Sequence, residues 1–112
     1  MKFLYGFGFE SPRQRTLNIA HKRDDEDSAA VFIEAETSDA ALEWGRAVAE
    51  SFLKWLYDDP TVSWAAGRYA DWIEPEPMAM LTPEQLRGIP TVAHGQMPSL
   101  AQISAHSRPE GS

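Results

Sequence analysis

Three histidines, one run of carboxylates and a scatter of acidic residues beside apolar segments are what this 112-residue chain offers for chemistry. His21, His94 and His106 lack the three- or four-residue spacing that sets two metal ligands on one helix face, so each reads as a solvated loop histidine. Asp24, Asp25, Glu26 and Asp27 are contiguous and have neither the central glycine nor the closing Glu of a calcium loop. They read as an exposed loop between strands, partly neutralised by Lys22 and Arg23. Glu10, Glu34, Glu36, Asp71 and Glu74 fall on or beside strands. Glycosidase-type catalysis needs two carboxyls about 5–9 Å apart, and no spacing along the chain pairs any two of these.

Cysteine is absent, which removes thiolate nucleophiles, disulfides and Cys-based zinc sites together. "GFGFES" lacks the third glycine and the following helix of a dinucleotide fingerprint, and "RGIPTVAHGQ" lacks the Lys-Ser/Thr of a phosphate loop. Neither H-E-x-x-H nor G-x-S-x-G occurs. The expectation is therefore no catalytic residues, no metal site and no cofactor, which favours a non-enzyme over an enzyme and leaves both readings open.

The elements that would position any site are clearer. Phe3, Tyr5, Phe7 and Phe9 alternate with Leu4, Gly6 and Gly8, the period-two pattern of a strand. Two glycines on one strand face suggest close approach by another element. "TLNIAH" (16–21) alternates again and is read as a second strand, and "AAVFIEAE" (29–36) as a third. Short connections make these a three-stranded antiparallel meander.

"ETSDAALEWGRAVAESFLKWLYDD" (36–59) is an amphipathic helix. Thr37 or Ser38 caps it, and Leu42, Gly45, Val48, Ala49, Phe52 and Leu56 form one stripe. Gly45 costs about 1 kcal/mol relative to alanine in a helix interior. Its place on the stripe predicts a close helix–sheet contact, with Gly6 and Gly8 as the expected counterparts. Trp44 and Trp55 flank that stripe, so they either cover its edges or form an exposed patch for a partner. "VSWAAGRYADWIE" (62–74) fits a helix, with Val62, Ala65, Ala66, Tyr69 and Ile73 on one stripe, or a strand over 68–74 returning after the long helix, and Gly67 and the aromatic content favour the strand.

Six of the eight prolines lie beyond residue 74. Thr82-Pro83 can open a short helix that Gly88 and Pro90 end, and 91–112 lack periodicity apart from "SLAQIS". The expected organisation is a single α+β domain over 1–76 and a partly irregular, Pro-rich C-terminal arm over 77–112. The expected fold is a small, mainly antiparallel sheet of about four strands, order β-β-β-α-β, packed against one long helix.

That order, with "AETSDAALEWGRAVAESFLKWL" after the third strand, loosely resembles the small antitoxin domains of the HicB-like family. In those domains a comparable Thr/Ser cap followed by "xxAL" opens the helix packed on the sheet. This chain has no "PDLPGC"-type segment and no DNA-binding extension.

A net charge of −7 disfavours nucleic acid as a partner, and no stretch approaches the roughly 20 apolar residues of a membrane span. The absence of cysteine fits a cytoplasmic location. One helix covers one sheet face, so the arm or a second subunit must cover the other, and a homodimer is an expected way to do so. Two functions from different classes follow. The first is a non-enzymatic protein-interaction module, regulatory or antitoxin- or immunity-like. It would bind a basic protein through Trp44, Trp55, Tyr69 and Trp72. The second is a small-molecule-binding or enzymatic domain, with those four aromatics lining a pocket between helix and sheet.

Overall fold

The computed structural model of the chain describes residues 1–76, 79 and 81–109. The fold is α+β: one long helix packs on a mixed sheet, and shorter helices lie around it. In chain order the elements are β1 (Lys2–Phe9), α1 (Pro12–His21), β2 (Asp27–Glu34), α2 (Ser38–Tyr57) and β3 (Asp71–Glu74). Then come α3 (Pro83–Gly88), β4 (Thr91–Ala93), α4 (Leu100–Ala105) and β5 (Arg108–Pro109). The sheet order is β3-β1-β2-β4. β1 runs antiparallel to both β2 and β3, β4 is parallel to β2, and β5 pairs antiparallel with the start of β2. The connection from β2 through α2 to β3 thus passes across β1.

Register explains the core. Tyr5 pairs with Val31 on one side and Ile73 on the other, Phe7 with Ala29 and Asp71, and Phe3 with Ile33. These residues share one face, and α2 lies on it with Val48, Ala49 and Phe52 fully buried. The rings of Phe9 and Phe52 meet edge-on at 5.0 Å, and Phe7 meets Phe52 at 5.6 Å. Full burial of such a side chain contributes about 1.5–3 kcal/mol. Trp64, 5 % exposed, closes the end of this layer and donates its indole N–H to Gly8 O at 2.8 Å.

The stretch "TLNIAH" is not a strand but the body of α1. Ser11 is its N-cap, accepting from the Gln14 N–H at 3.1 Å, and Pro12 stands in its first turn. What α1 buries is polar. Gln14 donates to Asn18 Oδ1 at 2.8 Å, and Asn18 Nδ2 donates to Glu10 and to Asp25 O, while Ile19 points to solvent. The acidic run is not wholly a solvated loop either, since Asp27 opens β2 and is buried.

Within the C-terminal stretch, read as an arm, residues 90–103 pack on the sheet and on the core. The Phe32 N–H donates to Pro90 O and the His94 N–H to Glu34 O, both at 2.9 Å, on either side of the three-residue ladder of β4. Leu100 and Ile103 of α4 join the core cluster. The boundary drawn from sequence between 76 and 77 borders residues 77 and 78, which lie outside the described residues.

Candidate functional site

The second face of the sheet carries Leu4, Gly6 and Gly8 of β1, Ser28 and Ala30 of β2, and Trp72 and Glu74 of β3. Above it lies a cavity of about 510 Å³. Leu4, Gly6, Ser28 and Ala30 form its floor and Trp72 and Glu74 one wall. Leu81, Gln85 and Ile89, from α3 and its flanks, and Ala105, His106 and Ser107, from the end of α4 and just beyond it, close it from the C-terminal stretch.

Local chemistry fixes these walls. Gly6 and Trp72 are register partners on adjacent strands. A Cβ on Gly6 would stand 2.5 Å from Trp72 Cε2, 2.6 Å from Cζ2 and 2.7 Å from Nε1, so the indole lies across the glycine. The ring remains 41 % exposed and lines the cavity. α3 starts in a reciprocal capping box: Thr82 Oγ1 accepts from the Gln85 N–H at 3.2 Å, and the Thr82 N–H donates to Gln85 Oε1 at 2.8 Å. The far end of α3 is tied to α4, because Gln102 Nε2 donates to Gly88 O at 3.1 Å and the His106 ring rests against Gly88.

Glu74 brings a carboxylate, no Lys or Arg is among the described lining residues, and His106 is the one lining side chain there able to carry positive charge. The remainder is largely apolar.

The four aromatics singled out from sequence do not share a surface. Trp44 is half-buried and donates its indole N–H to Gln96 O at 2.8 Å. Trp55 stands 46 % exposed on the outside of α2, its ring 6.1 Å from that of Phe52. Tyr69 is partly buried against the core, with its ring over Gly67. Trp72 alone lines the cavity, on the sheet face away from α2. The space between α2 and the sheet is filled by Tyr5, Phe7, Phe9, Phe52 and Trp64. Gly45 makes the expected close contact, but with Tyr5 rather than with Gly6 or Gly8, which face the other way. Sequence reasoning missed Leu4, Gln85, Ile89 and His106 as site residues. The one signal available was the paired glycines of β1, of which Gly6 marks the Trp72 contact.

The polar cluster nearest in form to a catalytic one serves the fold. The Tyr5 hydroxyl donates to Asp71 Oδ2 at 3.0 Å, and Arg46 Nε donates to the same oxygen at 2.8 Å. Burial, then the Asp71 charge, pushes the Tyr5 phenol far above its ordinary value, the opposite of what a nucleophile or base requires. Among the described residues no three His, Asp or Glu side chains gather as a metal site. None of the described helices is long and apolar enough to cross a membrane. No family model matches the chain, the HicB-like one included, and no curated protein or solved structure matches it.

Proposed function

We propose that this protein is a non-catalytic ligand-binding domain whose site is the cavity on the second face of the sheet. The observation that carries the reading is Trp72, clamped across Gly6 yet 41 % exposed, in a concavity of about 510 Å³. Ligand pockets run from about 300 to 1,000 Å³ and combine apolar walls with a few convergent polar groups. Glu74, His106 and Ser28 supply such groups here. A large indole held in place at the wall of a concave site is a ready platform for a flat apolar group. The site of action in this proposal is the cytoplasm, supported by the absence of cysteine. The test is a metabolite panel read by melting temperature and tryptophan fluorescence. A compound that raises Tm for the wild type and not for Trp72→Ala supports the reading, and a panel without any shift overturns it.

One observation favours the interaction module as a second reading. Trp55 is exposed on the outer face of α2, and the net charge of −7 suits a basic protein partner. Capture of a basic protein by the wild type but not by Trp55→Ser supports that reading. Capture unchanged by the substitution counts against it. Sedimentation at two protein concentrations tests the homodimer, which a concentration-independent monomer mass excludes.

A further inference from the structure

We infer that the cavity on the second sheet face selects an organic cation: a small molecule carrying an ammonium group on an aromatic or branched apolar body. The inference rests on the reading of that cavity as a binding site and adds the chemistry of what it takes. Trp72 and Glu74 are two residues apart on β3, so their side chains leave the same face with Cα atoms ~7 Å apart along the strand. An ammonium is held over an indole when it lies within about 6 Å of the ring centroid. A cation in that position is also in reach of the Glu74 carboxylate. Among the described residues Glu74 has no cationic partner, since the ion pairs formed are Arg23–Asp25, Arg46–Asp71, Lys54–Glu50 and His94–Glu43. A surface of net charge −7 repels an anion. The apolar body of the ligand lies against Leu4 and Ile89, with the open side of the indole as its flat wall.

The test compares three probes that share a phenethyl body and differ in the charge of the head group, by calorimetry on the full chain: phenethylammonium, neutral 3-phenylpropionamide and anionic 3-phenylpropionate. The ammonium is expected to bind at least tenfold more tightly than the amide and to weaken with added salt, and the carboxylate is expected not to bind. In Glu74→Gln, with its fold verified by circular dichroism, the ammonium and amide affinities are expected to converge. Equal or tighter binding of the amide or the carboxylate by the wild type overturns the cation inference while leaving the cavity as a binding site. So does an ammonium preference that survives in Glu74→Gln. If none of the three binds, the cation inference falls; a wild-type shift with some other compound in the melting panel would then show that the cavity reading survives it.

Discussion

Gly45 of the long helix lies on the ring of Tyr5 in the first strand: a Cβ on the glycine would stand 2.4 Å from Tyr5 Cδ1 and 2.6 Å from Cε1. Tyr5 is fully buried and its hydroxyl is anchored on Asp71, so the ring has nowhere to go. Alanine at 45 would gain about 1 kcal/mol of helix propensity. Overpacking a filled core costs about 1–3 kcal/mol, and at this distance the upper part of that range applies. Gly45→Ala is therefore expected to lower stability by about 1–2 kcal/mol in urea denaturation. A more stable variant would show that the helix does not sit as close as described.

Gly6 and Trp72 repeat the relationship on the other face with a softer partner. Trp72 is half-exposed and can swing away from a Cβ at position 6. Gly6→Ala is expected to cost on the order of 1 kcal/mol, or roughly 4–8 °C in Tm. The same substitution should shift the indole N–H resonance of Trp72, because the wall of the cavity is rebuilt. An unmoved resonance would contradict the clamped geometry.

Glu50 ties the loop after α2 to that helix. Its carboxylate accepts from the backbone N–H of Trp64 at 3.1 Å and of Ala65 at 2.7 Å, and from Ser63 Oγ at 3.0 Å; Lys54 lies 3.1 Å away. Burial works to raise its pKa, but these donors together outweigh it and hold the group below its ordinary value. A depressed folded-state pKa means stability that is present above the unfolded value, about 4.3, and lost as pH falls through the folded one. Denaturation between pH 6 and pH 3 should show that loss in the wild type and a shallower slope in Glu50→Gln. Equal slopes would remove Glu50 from the account.

At the alkaline end the sign reverses. Tyr5, Tyr57 and Tyr69 are all pushed above the ordinary phenol value, in each case first by burial, then by the charge of Asp71 for Tyr5 and of Glu10 for the other two. A raised folded-state pKa gives stability that is full below the unfolded value of about 10 and is lost as pH climbs beyond it. Tyrosinate absorbance should therefore appear above pH 10 together with the loss of circular dichroism. Ionisation below that point with the fold intact would contradict these environments.

Much of this arrangement was legible in the residues, and the failures have physical causes. The aromatic alternation of β1, the stripe of α2 and the Thr82 cap are strong local signals, and all are present; 62–74 fits helix or strand by pattern, and the strand that forms there is only Asp71–Glu74. α1 was misread because its buried face is Gln14 and Asn18, four apart, while Ile19 faces solvent. Hydrophobic periodicity is blind to a helix that docks through hydrogen bonds, and Ser11-Pro12 was the true signal. β4 and β5, of three and two residues, are too short to show any period. The cavity was the least legible feature. Its roof comes from Gln85, Ile89 and His106, which meet β1 and β3 only once the chain has folded back on itself.

We propose Trp72, rather than the outer face of α2, as the place where this protein meets its ligand. The most direct measurement is a nitrogen–proton correlation spectrum during titration with a library of small aromatic fragments. It follows the indole signals of Trp44, Trp55, Trp64 and Trp72, together with the backbone amides. Binding fragments are expected to move the Trp72 indole and the amides of Gly6 and Ser28 and to leave the Trp55 indole still. Fragments that move Trp55 alone, or a library that leaves Trp72 unmoved, would contradict it.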